Sequence, residues 1–433
     1  MKKIEEDRRR YVAFSDEDKG HILWPSLKLM SFIFCYLLLS PAICFAHAEE
    51  TDEYEEGFLT SWLNRLIQTK TPSNSPEKGG KEQGAREYQQ PEQSSCSLPP
   101  APCPLKEERG FSAPKFGGYV IGSYSYSSMA GVKSGGFDAR MIRVYVSGTV
   151  LRDFKYRIQL ELKNPAMRDY TLEWVRFKEF QIKVGQFKRC FTYENPMNPW
   201  DVGLGSYSQL AGRMTALVSE DCSGEPGQNG RDQGLQLQGD LFPIGKDGHR
   251  LVRYQAAVFN GNGQNKKDNN RKKDWMGNIQ LQPIANLYVG LFGWTGTYTG
   301  SNGVSVRRNR WAIGSKYDYK DWSFRAEYAH HSGRNAGDFD TTTNTWKEDS
   351  PLEADAWYIV AGVPITPWLK VYGSYDVYRK DATWGRMRSV YSVCPNFQLH
   401  KNLMFQVQYR YVNDRTAADH NYHELWAQTW VRF

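Results

Sequence analysis

Phe154-Lys155-Tyr156-Arg157-Ile158-Gln159-Leu160-Glu161-Leu162-Lys163 alternates apolar and polar side chains without a break. In an extended chain successive side chains point to opposite faces. Phe154, Tyr156, Ile158, Leu160 and Leu162 therefore share one apolar face, and Lys155, Arg157, Gln159, Glu161 and Lys163 share a charged or polar one. A soluble sandwich can alternate as well, but a barrel in lipid demands a continuous outward apolar band and permits a wet interior. The same pattern recurs downstream. Ile142, Val144 and Val146 stand against Arg143, Tyr145 and Ser147; Trp322, Phe324, Ala326 and Tyr328 against Ser323, Arg325 and Glu327; Leu403, Phe405, Val407, Tyr409 and Tyr411 against Gln406, Gln408 and Arg410. From Phe116 to Phe433 there is room for about 16 such segments of roughly ten residues, joined by alternately short and long connections. The expected fold class is all-β, a transmembrane antiparallel β-barrel whose aromatic residues gather toward the strand ends.

Composition narrows the choice further. The 433 residues are 40% hydrophobic and 24% charged, with a mean hydropathy of −0.64, and only one stretch approaches the roughly 20 apolar residues of a spanning helix. A polytopic helical membrane protein is excluded. Whole-chain disorder is excluded by 14 Trp, 26 Tyr and 21 Phe, because disordered chains are poor in aromatic residues. A plugged 22-stranded transporter would need a larger chain, and no repeat of propeller or solenoid length is visible.

The N-terminal part divides by composition. Residues 31–46 form an apolar core followed by Ala46-His47-Ala48, a small-x-small cleavage pattern. Residues 1–48 are read as a signal peptide with a long leader, in preference to a membrane anchor or a lipid-modified Cys44, so the true start codon lies open. In 49–115, Phe58, Trp62, Leu63, Leu66 and Ile67 recur at helical spacing, and 71–109 is a Pro-, Gln-, Glu-, Ser- and Lys-rich linker. This is expected to be a periplasmic short helix with a disordered linker, and the barrel occupies 116–433. Of the net charge of +7, the barrel portion holds 40 Lys+Arg against 30 Asp+Glu. Export argues against nucleic acid as the partner of that excess, leaving anionic solutes or lipid head groups. The mature chain keeps Cys96, Cys103, Cys190, Cys222 and Cys394. Cys190 and Cys222 bracket one long loop, and a disulfide between them is expected, worth about 3–4 kcal/mol; the alternative is five free or buried thiols.

After the strand Gln181 to Lys188, residues 191–230 are too long for a turn and too rich in Gly, Pro, Asn and Ser for a strand. Ordered loops of this length are usually functional, and this one is expected to fold inward and set the bore. Tight turns at Lys178-Glu179 and Lys320-Asp321 would be periplasmic, and 260–274, 298–309 and 332–353 would face outward. The loop itself carries Arg213 against Glu194, Asp201, Glu220, Asp221 and Glu225. An anion eyelet needs converging guanidinium and ammonium donors, so the wall must supply them. Arg143, Lys155, Arg157, Lys183, Arg253, Arg325, Lys370 and Arg410 fall on the lumen face, with Lys188 at the loop base. With Arg213, these are the candidate pore-lining, solute-binding residues. Glu161, Glu173, Glu327, Asp376 and Glu424 oppose them, so an ordinary charge-laddered wall of neutralised pairs is the reading preferred over a selective anion path.

Three motifs resemble a family. Val184-Gly185-Gln186-Phe187-Lys188 before Phe191, Arg231-Asp232-x-Gly234 opening the next strand, and the run from Val258-Phe259-Asn260-Gly261-x-Gly263 to Lys273-Asp274 look like the phosphate-selective porin O and P family. The resemblance spans about 116–433. It implies a 16-stranded outer-membrane channel, usually a homotrimer, with an anion-binding constriction. Cys190 stands where the family usually has proline. The C-terminal Phe433, behind the alternating Leu425, Ala427, Thr429 and Val431, looks like the insertion signal read by the barrel assembly machinery.

Other chemistries find no support. Gly261-x-Gly263 lacks a dinucleotide-loop context. Five cations in 265–274 oppose a Ca²⁺ site, and His330-His331 and His420-x-x-His423 cannot share a strand face, so no zinc site follows. Nothing nominates an acid, base and nucleophile, and no cofactor is implied; the chain is read as a non-enzyme. The function expected is an outer-membrane porin for passive diffusion of small polar or anionic solutes, phosphate among them, in contact with outer-membrane lipid. The alternative is a surface barrel with a blocked pore, acting as an adhesin or ligand receptor; a soluble carbohydrate-binding sandwich ranks third.

Overall fold

The computed structural model describes residues 111–132 and 135–433. The signal peptide, the short helix, most of the linker, and Cys96 and Cys103 lie outside the described residues. From Lys115 onward the chain forms a closed barrel of sixteen antiparallel strands, each paired with the next barrel strand, and a separate two-stranded hairpin, Phe339–Asp340 with Thr345–Trp346. They begin with Lys115–Ser127 and Gly136–Val150 and end with Leu403–Asp414 and Asn421–Arg432. The sheet closes where Tyr119 pairs with Arg432 and Ser127 with Glu424. Closure follows from the medium, because hydrocarbon offers no partner to an unpaired edge. Among the described residues no helix is long and apolar enough to cross a membrane.

Alternation has its expected consequence. Ile158 and Leu160 are exposed on the outer face while Gln159 and Glu161 between them are buried inside. Leu172, Val184, Leu291, Ile359 and Val431 continue the outward band on other strands. The interior is not empty: Phe187, Phe191, Leu210, Met214, Phe292 and Trp294 build an apolar core between the wall and the segment that fills the lumen.

Two connections differ from expectation. Lys320-Asp321 is a tight turn between Tyr319 and Trp322, but Lys178-Glu179 sits within a longer connection, 175–180. The segment 298–309 is mostly strand: Leu287–Thr299 and Ser305–Tyr319 stay paired up to Ser305 and Thr299, leaving only 300–304 outside. Its Gly, Asn and Arg residues imitate a solvated loop, yet Arg308 is fully buried inside the barrel. The connections 260–273 and 333–352 do lie at the long-loop end, which in such barrels is the extracellular one.

The wall is uneven in height. Phe154–Glu161, Ala166–Trp174 and Gln181–Lys188 have 8, 9 and 8 residues, whereas the other barrel strands have 11 to 15. This low sector leads directly into the long loop.

At the seam Phe433 exchanges backbone hydrogen bonds with Gly118, both 3.0 Å. A Cβ at Gly118 would lie 2.6 Å from the Arg143 carbonyl oxygen and 2.6 Å from the Phe433 ring. Gly118→Val should therefore destabilise closure by roughly 1–3 kcal/mol through overpacking. Heat-modifiable gel mobility would check this; a folded fraction equal to wild type would refute the seam contact.

Candidate functional site

The loop 189–230 leaves the strand Gln181–Lys188, crosses the lumen and returns at Arg231. Wall side chains hold its backbone at every stage. The Glu327 carboxylate accepts from the N–H groups of Tyr193, 2.7 Å, and Glu194, 3.1 Å. Farther along, Arg325 donates to the Val202 carbonyl at 2.6 Å, Asn396 and Gln406 to Gly203 at 2.8 and 3.0 Å, and Gln428 to Gly205 at 3.1 Å. Small residues at 203 and 205 let the backbone approach the opposite wall. A Cβ at Gly203 would lie 2.3 Å from the Tyr372 ring, and its φ of +83° suits glycine. Helix α1, Gln209–Thr215, then starts at Ser208, whose hydroxyl accepts from the Ala211 N–H at 3.1 Å. Asp376 accepts from the Gln209 N–H at 2.8 Å. Burial pushes the Glu194 carboxyl up, and it accepts from both the backbone and the hydroxyl of Ser208.

The returning half is fastened by buried charge. Arg189, Arg308 and Arg310 stack around the Trp294 ring at 5.0, 4.7 and 4.4 Å from its centre. Arg189 pairs with Glu225 at 2.8 Å and Asp232 at 2.9 Å, Arg308 with Glu225 and Asp274, and Arg310 with Asp221 at 2.7 Å. Burial pushes the Asp221 carboxyl up, but Arg310 and Arg308 outweigh it and hold it at about 2. Burial raises that of Glu225, against the pull of Arg189 and Arg308. Two of the loop's five acidic residues are thereby paired with arginines inside protein.

Sequence reasoning missed Arg189, Arg308, Arg310 and Trp294. Arg308-x-Arg310 on one strand face was a usable signal, obscured by reading 298–309 as an outward loop. Asp274, weighed above with the Ca²⁺ pattern, accepts from the Trp294 indole at 2.9 Å and pairs with Arg308. Among the described residues no cluster of three or more His, Cys, Asp or Glu could hold a metal ion.

The expected Cys190–Cys222 disulfide is corrected: Cys190, Cys222 and Cys394 are free thiols. The loop does not return to its own base at Cys222. Cys222 meets the Tyr378 hydroxyl at 3.7 Å on another strand, whereas Cys190 is buried beside Asn278, which donates to its carbonyl at 2.8 Å. Cys394 is buried against Asn396.

The loop separates cavities. On the outer side one of about 620 Å³ is lined by Arg213, Cys222, His331, Lys380, Arg388 and Asp414, among others. On the turn side one of about 310 Å³ brings together Arg143, Arg157, Lys183, Lys188 and Arg231 with Asp169. Four of the ten candidate residues thus converge. Arg143 pairs with Glu161 at 2.9 Å and Lys183 with Glu173 at 2.8 Å. Arg231 grips Asp169 through two nitrogens, 2.8 and 3.0 Å. Lys188 donates to the Met197 carbonyl at 2.6 Å, and Arg157 lies over the Tyr145 ring at 4.2 Å. The remaining six stand apart from this cavity. Lys155 lines a separate hollow near the turns and Lys370 another. Arg253 is paired with Asp240 and Arg410 with Glu424, Arg325 binds loop backbone, and Arg213 faces the outer cavity.

With this geometry in hand, residues 252–417 match the family model of the Gram-negative porins. The solved anion-selective porin from Comamonas acidovorans superposes with a TM-score of 0.56 at 10% identity, over 74% of this chain and 99% of that one. The outer membrane channel DcaP of Acinetobacter baumannii gives 0.54 at 11% identity over 76% and 99%. Salmonella typhi OmpF, in complex with daunomycin, gives 0.53 at 13% over 74% and 97%. At such identities the likeness speaks to the fold. No curated protein matches the chain in sequence. The chain is a β-barrel of the bacterial outer membrane with the porin fold and an inward-folded constriction loop.

Two outcomes are expected. Arg308→Met leaves Glu225 and Asp274 short of a buried cation, which costs about 3–5 kcal/mol locally; single-channel records should become noisier with larger steps, and unchanged traces would show that the anchor does not hold the loop. A small methanethiosulfonate reagent should modify Cys222 in folded protein and spare Cys190 and Cys394, with no mobility change on reduction. A mass spectrum showing a 190–222 cross-link would contradict the free thiols.

Proposed function

We propose that this chain is a porin for passive diffusion of small polar solutes, with a preference for anions. The observation that carries the reading is the turn-side cavity, in which five cations outnumber the three carboxylates paired with them, Asp169, Glu161 and Glu173. Arg157 forms no salt bridge among the described residues, so it adds to the field at the passage. Confinement strengthens such a field, because the low-dielectric wall screens less than water does. No bond is made or broken: a solute exchanges hydration for guanidinium and ammonium donors and moves on. Phosphate selectivity is the finer form of this reading, supported by the resemblance of the three motifs and by the convergence of Arg157, Lys183, Lys188 and Arg231.

A homotrimer is part of the proposal. Strands of 8 and 9 residues, tilted as barrel strands are, fall short of the band that longer strands cover, so the low sector is best covered by another copy. A solved OmpT of Vibrio cholerae is described as a trimer form. Residues 1–48 would direct export, 49–115 would lie in the periplasm, and Phe433 would present the chain to the barrel assembly machinery. A second reading, capture by a blocked barrel, draws on how far the loop reaches, since it contacts the wall at Arg325, Asn396, Gln406 and Gln428.

Planar-bilayer recording tests both. Under a KCl gradient the reversal potential should be anion-directed, and added phosphate should block. Arg157→Glu with Lys188→Gln should lower the anion-to-cation permeability ratio by roughly tenfold, equivalent to about 1.4 kcal/mol. Cation-directed reversal in the wild type would overturn the anion preference, and silence from folded protein would favour capture.

A further inference from the structure

The outer cavity of about 620 Å³ lies where the constriction loop meets the connection 333–352. The two segments are fastened to each other. The Ala336 N–H donates to the Ser223 carbonyl at 3.0 Å, the Asn335 amide to the Glu220 carboxylate at 2.9 Å, and Asn302 secures the Ala336 carbonyl at 2.8 Å. Most charges around this space are matched. Arg388 pairs with Asp414 and Lys347 with Asp338, both at 3.3 Å, Arg386 with Asp349 at 3.2 Å, and Asp221 belongs to the arginine cluster. Four charged residues that line the cavity form no salt bridge among the described residues: the cations Arg213 and Lys380 and the carboxylates Glu220 and Glu353. Arg213 and Glu220 are neighbours, since Arg213 donates to the Glu220 backbone carbonyl at 3.2 Å, yet their charged ends diverge. The guanidinium lies over the Tyr378 ring at 5.4 Å, whereas the Glu220 carboxylate turns to Asn335. Deeper in the barrel, buried His331 lines the same space. Arg310 donates to its Nδ1 at 3.1 Å, so the ring proton sits on Nε2, which has no partner among the described residues.

Two cations and two carboxylates that share a cavity without pairing ask for a solute that carries both charges. We infer that the outer cavity binds a small zwitterion with a free carboxylate and a free ammonium group, of the chemical class of short peptides. The inference rests on the porin reading for the solute's arrival at the outer mouth. The carboxylate meets Arg213 and Lys380, the ammonium meets Glu220, and a peptide carbonyl answers the Nε2–H of His331. Each contact to a charged group is a charge-assisted hydrogen bond, stronger than a neutral one. An anion alone would leave Glu220 beside its own charge, and a cation alone would stand beside Arg213, so the same residues that hold a zwitterion disfavour either single ion. The volume also falls within the roughly 300–1,000 Å³ of small-molecule sites, which is more room than a bare ion needs.

Isothermal titration calorimetry of the full chain in detergent tests the site, with diglycine, N-acetyldiglycine and diglycinamide as probes. The second lacks the ammonium group and the third the carboxylate. The wild type should bind diglycine roughly tenfold or more tightly than either blocked form, the worth of one charge-assisted hydrogen bond. Arg213→Gln should abolish the advantage over diglycinamide and keep that over N-acetyldiglycine; Glu220→Gln should do the reverse. A loosened loop would weaken all three probes alike, so the crossed pattern separates direct contact from a structural effect. Heat-modifiable mobility verifies that both variants fold, and the comparison of probes on the wild type stays decisive if one does not. No binding, equal binding of the three probes, or an advantage unchanged in both variants would overturn the inference. Tighter binding of N-acetyldiglycine than of diglycine would overturn it in favour of a plain anion site. Liposome swelling keeps the porin reading separate. Swelling by a small sugar without selective diglycine binding would sink the inference and leave the porin standing, whereas selective binding without swelling would uphold the site and favour capture.

Discussion

A backbone N–H or C=O group left without a partner in hydrocarbon costs several kcal/mol. A sheet in a membrane therefore cannot keep an edge, and everything else in this molecule follows from the pairing of its first and last strands. The register at that seam, with Tyr119 opposite Arg432 and Ser127 opposite Glu424, fixes which residues face lipid and which face the lumen around the ring. A slip of one position would exchange the two sets. The contact of Phe433 with Gly118 lies at the foot of this seam, where the last residue of the chain completes the ladder.

Closure creates an interior that must be filled in part, and a single loop does this. Its anchors differ from a soluble core in kind. Carboxylates on the wall accept from loop N–H groups, wall amides and Arg325 donate to loop carbonyls, and three arginines share one indole. Such polar anchoring is costly to leave half-satisfied, which favours one position of the loop over many. The same network takes up Asp221 and Glu225 inside protein, where Arg189, Arg308 and Arg310 pair with them.

Much of this was legible in the residues. Alternation over 154–163 and its recurrence gave the strand count, the lumen face and the position of the long loop, because a period of two is a local property of the extended chain. Local patterns failed where partners are distant. Arg308 looked like a loop residue and Arg310 was not singled out, since no neighbour in sequence explains a buried arginine; their carboxylates lie in other segments, at Glu225, Asp221 and Asp274. The proposed disulfide failed for the same reason. Bracketing a loop in sequence does not bring two sulfurs together when the loop crosses to another wall.

The amino-acid order by itself determined the architecture: side-chain alternation, strand length and a C-terminal aromatic strand are one-dimensional, and lipid converts them into a closed sheet. Only the tertiary structure decided which cations remain uncompensated. Ten lumen residues were nominated by parity, but whether each meets a carboxylate, a carbonyl or an open cavity depends on side chains brought together across the barrel. Arg157 and Lys188 stand apart from Arg253 and Arg410 through placement alone, because Coulomb interaction depends on distance in space and on the surrounding medium.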